Sequence, residues 1–238
     1  MTIPTCATWN QTGITLAGNQ NGTFGSDLRS LYYPVSIFID NNDALYVCDR
    51  DNARILKFLP NSSTGIIVAG NGTIGSESNQ LRGPKGVAVD QYGSIIVADS
   101  DNYRIQKFTN GSFNGTTIAA NASYNPLGQM RDLHIDVNNN VYVTDSDLSQ
   151  VVKFVPFSSI GIRVAGGTVG PGLDQLNGAF GNFIDPNGTL YVADDQNFRV
   201  MKYQPGNLTG TIVAGNGTAG TSAYQLSRSI SIIVDNNG

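Results

Sequence analysis

The sequence predicts an all-β protein, a β-propeller of four-stranded antiparallel blades, and three observations lead to this fold class. The first is an internal repeat with a period of about fifty residues. The second is a set of fixed intervals inside each repeat, as expected of hairpins in which a one-residue slip would turn every side chain to the wrong face. The third is composition: 13% of the 238 residues are charged, 28 are glycine, and helical periodicity is absent, which is typical of turn-rich β proteins.

Each repeat begins with an apolar strand that ends on an aspartate. The five aspartates are spaced by 50, 46, 49 and 50 residues: Asp40, Asp90, Asp136, Asp185 and Asp235. A leucine precedes each of them by nine residues: Leu31, Leu81, Leu127, Leu176 and Leu226. Gly or Asn follows the aspartate closely, as in Asp90-Gln91-Tyr92-Gly93, so we interpret it as a hairpin-turn residue with no chemical role.

The second, third and fourth strands follow at fixed distances. The second strand ends nine residues after the first aspartate, as in Leu45–Asp49, and a lysine followed by an aromatic residue comes eight residues later, as in Lys57-Phe58. The fourth strand ends thirteen residues after the lysine, at Gly70, Ala120, Gly166 and Gly215. Both faces of these strands are apolar, as expected where each sheet packs between two neighbours.

All variation in length falls between the fourth strand of one repeat and the first strand of the next. The distance from the end of each fourth strand to the leucine of the next repeat is 13, 11, 7, 10 and 11 residues. We therefore divide the single propeller domain, residues 1–238, into the outer strands of a partial blade at 1–18, blades at 19–70, 71–120, 121–166 and 167–215, and the start of a further blade at 216–238. This division predicts four complete blades with a fourth strand ending at Gly18 and a first strand ending at Asp235.

The stretch from Leu81 to Phe108 resembles the NHL repeat almost residue for residue. The resemblance rests on Leu81-Arg82-Gly83-Pro84-Lys85-Gly86-Val87-Ala88-Val89-Asp90, on Gly93, and on Ile96-Val97-Ala98-Asp99-Ser100-Asp101-Asn102-Tyr103-Arg104-Ile105-Gln106-Lys107-Phe108. The other repeats keep the pattern, except that the third has Leu148 and Gln150 where Asn and Arg are expected. The resemblance implies a six-bladed propeller used as an interaction platform, so we expect the chain to be a fragment of such a ring.

One polar motif, Asp-x-x-Asn-x-Arg, recurs after the second strand. It comprises Asp49, Asn52 and Arg54; Asp99, Asn102 and Arg104; and Asp194, Asn197 and Arg199. Because it recurs at one register, we interpret it as structural: Asp and Asn cap the turn between the second and third strands while Arg pairs with Asp. The third repeat lacks it, so its turn is predicted to be looser or held in another way.

Ten Asn-x-Ser/Thr sequons occur, against roughly four expected by chance from this composition. They begin at Asn10, Asn21, Asn61, Asn71, Asn110, Asn114, Asn121, Asn187, Asn207 and Asn216. Most fall in predicted turns, where a glycan would stand clear of the fold, although Asn-Gly-Thr is also good turn chemistry. The excess favours an extracellular or secreted glycoprotein, with a cytoplasmic location as the alternative.

Several classes of function lack the residues they need. The net charge is -4, and lysine and arginine are not clustered, which disfavours nucleic acid as a partner. No apolar run is long enough to insert into a membrane as a helix. The only histidine, His134, occupies a core or channel-lining position, Cys48 falls where other repeats have Ala or Thr, and no catalytic, metal or cofactor site is predicted.

The sequence therefore predicts a non-catalytic recognition module. We expect it to bind a protein or glycan partner on one loop face of the propeller, through apolar or unusual residues among otherwise polar turns. The candidates are Asn21, Phe24, Asp51, Ile74, Tyr103, Tyr124, Leu148, Val169 and Phe198. Two alternatives remain open: the substrate-recognition propeller of an intracellular ubiquitin ligase, and a central-channel enzyme of the lyase or lactonase kind.

Overall fold

The structure, a computed structural model, describes residues 12–123 and 125–235. Sixteen strands are assigned in these ranges, four to each repeat. They are β1 (Pro34–Ile39), β2 (Leu45–Asp49), β3 (Arg54–Phe58), β4 (Ile66–Ala69), β5 (Pro84–Val89), β6 (Ile95–Asp99), β7 (Arg104–Phe108), β8 (Thr116–Ala120), β9 (Met130–Ile135), β10 (Val141–Asp145), β11 (Gln150–Phe154), β12 (Ile162–Gly166), β13 (Ala179–Ile184), β14 (Leu190–Asp194), β15 (Arg199–Tyr203) and β16 (Thr211–Gly215).

The strands form four separate antiparallel sheets in sequence order, which confirms the predicted blades. Blade 1 is β1–β4, blade 2 is β5–β8, blade 3 is β9–β12 and blade 4 is β13–β16. The first strands of successive blades contact one another, so they are the inner strands. Since strand direction alternates, the turns after the second and fourth strands lie on one face of the propeller, here called the loop face. The turns after the first and third strands lie on the opposite face, here called the hairpin face.

The core consists of apolar layers between blades. One layer joins blades 1 and 2, with Ile55 and Phe108 fully buried in it, and equivalent layers join blades 2 and 3 and blades 3 and 4. The leucine that precedes the first strand of a blade also packs in these layers. Leu81 and Leu176 are both 0% exposed. Cys48 is likewise buried in the first layer, as predicted for a small side chain at that register.

The hairpin aspartates act as predicted. Oδ1 of Asp90 accepts hydrogen bonds from the backbone N–H groups of Tyr92 and Ser94, at 2.9 and 2.8 Å. Asp40, Asp136 and Asp185 make the same pair of bonds in their own turns. Backbone N–H groups in the turn have no partner on a neighbouring strand, and the carboxylate accepts their hydrogen bonds instead. The aspartate therefore stabilises the turn.

The two predicted partial blades are not formed as strands. The structure assigns no strand to residues 12–18, where a fourth strand was predicted, nor to 227–235, where a first strand was predicted. The remaining predicted positions in these segments, 1–11 and 236–238, lie outside the described residues. Neither described segment has a hydrogen-bonded strand beside it within those residues, and a strand exists only through such pairing. The second segment nevertheless packs like an inner strand, since an added Cβ on Gly181 would lie 2.8 Å from Cα of Ser231.

Candidate functional site

The Asp-x-x-Asn-x-Arg motif holds the variable segment between blades. In blade 2, Oδ2 of Asp99 accepts bonds from Nδ2 of Asn102 and Nε of Arg104, at 2.8 and 2.7 Å. Its Oδ1 accepts the backbone N–H of Arg82 at 2.7 Å. The same Asn and Arg then donate to backbone carbonyls of the preceding segment, those of Gly75, Ser76, Glu77 and Gln80. Four carbonyls and one amide of a loop are thereby satisfied by three side chains.

Blades 1 and 4 repeat this arrangement contact for contact. Arg54 and Arg199 each pair with their aspartate at 2.7 Å and reach three loop carbonyls, while Asn52 and Asn197 reach a fourth. Asp49 and Asp194 are fully buried. Buried ions need both a partner and further hydrogen bonds, and each guanidinium here donates one bond to its aspartate and three to loop carbonyls. We call this arrangement the clamp.

The predicted pairing of Arg with Asp is therefore confirmed, but the predicted capping is wrong. The turns between the second and third strands are short 3₁₀ turns at Arg50–Asn52, Ser100–Asn102 and Asp195–Asn197, and their N-terminal aspartates make no side-chain cap bond. The carboxylates point instead to the loop that enters the same blade. The sequence pattern shows only which residues are close along the chain. The backbone N–H that binds Asp99 belongs to Arg82, 17 residues earlier.

Blade 3 lacks the Arg and is held in another way, as predicted. Asp145 accepts the backbone N–H groups of Gly128 and Leu148, at 2.7 and 3.1 Å. The seven-residue segment before this blade is fastened by Asn125, which donates to the carbonyls of Ala120 and Ser159 and accepts the N–H of Gly161. The shorter loop of blade 3 is thus held by the side-chain amide of Asn125, whereas the longer loops are held by an arginine.

These clamps present several of the predicted binding residues to solvent. Phe24, Ile74 and Val169 occupy equivalent positions and are 71%, 59% and 63% exposed. Tyr103 and Leu148 are exposed, Phe198 and Asp51 are half-buried, and Asn21 is exposed. Tyr124 lies outside the described residues. The loop face therefore carries several exposed apolar side chains on segments that the clamps hold.

A group of aromatic and charged side chains lies on the loop face at blade 1, and the sequence predicts only part of it. The ring of Phe24 stacks on Tyr32 with centroids 4.7 Å apart, and Arg50 lies over the ring of Tyr33 at 5.3 Å. Arg50 also pairs with Asp51, whose backbone N–H donates to the carbonyl of Tyr32. We call Phe24, Tyr32, Tyr33, Arg50 and Asp51 the blade 1 patch.

Tyr33 is the unusual member of the blade 1 patch. It has a φ of 52° and stands where blades 2 and 4 have Gly83 and Gly178, whose φ values are 54° and 62°. A bulky residue in this left-handed region is strained, and glycine is the usual solution. Alignment of the repeats could have found part of this signal, because Tyr33 occupies a register where two other repeats have glycine.

A second set of non-repeating residues lies between blades 3 and 4. Nδ2 of Asn182 donates to Oγ1 of Thr144 at 2.9 Å, and the backbone N–H of Asn182 donates to Oδ2 of Asp132 at 3.1 Å. Burial raises the pKa of Asp132 to about 6. On the same inner strand, His134 is half-buried and packs on Phe183 at 5.1 Å, and burial lowers its pKa. The predicted core or channel-lining environment of His134 is thus confirmed.

The sequon asparagines lie on the surface. All nine in the described residues are exposed, and Asn10 lies outside those residues. In four Asn-x-Thr sites, at Asn21, Asn71, Asn207 and Asn216, Oδ1 accepts the backbone N–H of the threonine two residues on. These contacts fit the turn interpretation, and surface exposure also leaves room for a glycan.

Two features are absent from the described residues: a cluster of metal ligands and a helix that could cross a membrane. Within residues 12–123 and 125–235, no three His, Cys, Asp or Glu side chains are grouped so as to hold a metal. No helix in the same ranges has the length and apolar character needed to cross a bilayer.

Solved structures similar to the chain share its fold at low sequence identity. A structural genomics protein of unknown function from Bacteroides thetaiotaomicron matches with a TM-score of 0.56 and 19% identity, over 92% of this chain and 69% of that one. A catalytically inactive virginiamycin B lyase from Staphylococcus aureus with quinupristin matches with a TM-score of 0.54 and 13% identity, over 76% and 54%. A streptogramin B lyase matches with a TM-score of 0.55 and 12% identity, over 75% and 53%.

Sequence comparison identifies the repeat itself. No curated protein sequence matches the chain. The family model of the NHL repeat matches residues 31–58 and 81–108, which are the first three strands of blades 1 and 2 together with the leucine that precedes them. The clamp residues of both blades lie within these matches. The chain thus has a β-propeller fold, and two of its blades match the NHL repeat.

Proposed function

We propose that this propeller is a non-catalytic recognition module that binds a protein or glycan partner on its loop face, centred on the blade 1 patch. An extracellular location is part of the proposal, on the strength of the exposed sequons. The blade 1 patch combines three exposed aromatic rings with one arginine and one aspartate. Aromatic rings and arginine are the residues most enriched where partners bind tightly.

The observation that carries the proposal is Tyr33. It is 62% exposed and strained at a register where blades 2 and 4 have glycine. A strained, exposed aromatic residue contributes little to the core, so stability does not account for its presence. Strain of this kind concentrates at functional sites, where surrounding contacts hold it in place. Here the surroundings are the Arg50 contact and the clamped segment below it.

The chemistry of the blade 1 patch favours a ligand with a flat apolar surface beside polar groups. The Phe24–Tyr32 stack and the Tyr33 ring offer faces to a sugar ring or to an aromatic or proline side chain. The Arg50–Asp51 pair is about one-third exposed, at 30% and 33%, and so can donate and accept hydrogen bonds at the rim. Both a glycan and an extended peptide meet this description.

A direct test screens the protein against immobilised glycans and a displayed random peptide library, then measures the best ligand by titration. Tyr33→Gly restores the residue found in blades 2 and 4, so the fold is retained. We expect this change to weaken binding at least about tenfold, as for loss of a central aromatic contact.

The matched control is Tyr92→Ser on the hairpin face, where Tyr92 is 72% exposed. This change is expected to leave affinity unaltered. If Tyr33→Gly and Phe24→Ser both bind the ligand as tightly as the wild-type protein, or if Tyr92→Ser alone removes binding, the blade 1 patch is not the recognition site.

A further inference from the structure

Three polar residues interrupt the core between blades 3 and 4, each at a register where other blades differ. Asn182 stands where the other repeats have Ile37, Val87, Leu133 and Ile232. Thr144 stands where they have Cys48, Ala98 and Ala193, and Asp132 stands where they have Ser36, Gly86, Gly181 and Ser231. The equivalent residues elsewhere are small or apolar, so the repeat itself does not require polar groups here.

The three side chains converge although they come from three strands. Asp132 and Thr144 are paired across β9 and β10, and Asn182 reaches them from β13 through the bonds described above. Asn182 is 2% exposed and Thr144 is 0% exposed. Asp132 is half-buried as a residue.

Among the described residues, one acceptor of this cluster has no partner, and its carboxylate has no counterion, because the two oxygens of Asp132 accept only the backbone N–H groups of Leu133 and Asn182. Oδ1 of Asn182 is buried without a hydrogen-bond partner. Within the described ranges, no lysine, arginine or histidine pairs with Asp132. A buried carbonyl oxygen left alone and a desolvated carboxylate without a counterion are both costly. A cation bound by both groups would remove both costs.

We propose that Asp132, Thr144 and Asn182 form a site for a hard cation, calcium, at the interface of blades 3 and 4. The donor set is a carboxylate, a hydroxyl and an amide carbonyl, all oxygen, which suits calcium over softer metals. One formal charge in the protein shell places the affinity in the weak range, with a Kd of about 10⁻⁴ to 10⁻³ M. The proposal is independent of the blade 1 patch, which lies on other residues.

The other repeats supply the matched variant. The triple change Asp132→Ser, Thr144→Ala and Asn182→Val restores residues that occupy these registers in other blades, and so should fold. Calcium chloride is titrated calorimetrically into chelator-treated protein, and thermal unfolding is measured with and without it. The wild-type protein is expected to bind calcium saturably and to gain about 2–4 °C in Tm, while the triple variant does neither.

A gain-of-affinity variant keeps the proposal testable if the triple variant does not fold. Asn182→Asp adds a second carboxylate at the unpartnered oxygen and is expected to lower the calcium Kd at least about tenfold. The proposal is overturned if wild-type protein shows no saturable calcium binding, if the folded triple variant binds as the wild type does, or if Asn182→Asp leaves the Kd unchanged.

Discussion

Asp194 shows how much a single clamp residue contributes to the free energy of unfolding. It is fully buried, and it receives Arg199, Asn197 and the backbone N–H of Asn177. Removing a buried partner leaves the remaining charge unpaired, so Asp194→Ala is expected to lower the free energy of unfolding by about 3–5 kcal/mol. Urea titration measures the change.

The matched control is Arg50→Ala, which breaks the part-exposed pair with Asp51. Exposed ion pairs contribute little, so this change is expected to cost less than about 1 kcal/mol. Equal losses for the two variants would contradict the account of the clamp as a buried ion pair held by further hydrogen bonds.

Substitution of Tyr33 by glycine should raise stability, whereas the same substitution at an ordinary surface tyrosine should lower it. Its left-handed conformation costs about 1–2 kcal/mol, which exceeds the cost of about 0.5–1 kcal/mol for introducing glycine. Tyr33→Gly is therefore expected to raise stability by up to about 1 kcal/mol, even as it weakens binding. Tyr92→Gly, at a residue that is not among those with positive φ, is expected to lower stability slightly. A larger loss for Tyr33→Gly in urea unfolding would show that Tyr33 serves the fold.

At the scale of the element, Gly86 sets the distance between inner strands β5 and β9. A Cβ at this position would lie 2.7 Å from the backbone nitrogen of Leu133, which cannot move without shifting the strand. Gly86→Ala is therefore expected to cost about 1–3 kcal/mol through overpacking between blades 2 and 3. Gly13→Ala serves as the control, since a Cβ there meets nothing within 4 Å. A neutral Gly86→Ala in thermal unfolding would contradict the close packing of these strands.

Sequence reasoning located the strands well because each blade repeats one pattern of fixed intervals. Register is set by alternation toward two buried faces, and Phe58, Phe108 and Tyr203 all reach the core from the same register. The partial blades at 12–18 and 227–235 were not found as strands, because strand formation depends on a neighbour as well as on the segment's own residues. The partner of Asp99 was also missed, since the Arg82 amide is distant along the chain.

The candidate site was harder to predict than the fold. Exposed Phe24, Ile74 and Val169 could be chosen because they are apolar among polar turns. Tyr32 and Tyr33 were missed, since two adjacent tyrosines near a strand look like core residues until the left-handed φ is known. Asp132, Thr144 and Asn182 were missed because they are far apart in sequence and only the fold brings them together.

At the scale of the whole molecule, the nine exposed sequons predict an extracellular glycoprotein. Protein isolated from its native source is expected to carry N-glycans at several of these asparagines, because each has an accessible side chain. Peptide mapping with and without peptide N-glycosidase F measures their occupancy. Unmodified asparagine at every site, in protein recovered from the cytosol, would favour the ubiquitin-ligase alternative instead.

The central claim is that the clamps turn variable segments between blades into a rigid binding face. Amide hydrogen exchange tests it most directly, at the N–H groups of Gly75, Gln80 and Arg82, which donate to Leu81, Glu77 and Asp99 respectively. The account predicts that these loop amides exchange about as slowly as those of strand β7, and that Arg104→Met makes them fast while β7 stays protected. Rapid exchange of all three amides in the wild-type protein would contradict it.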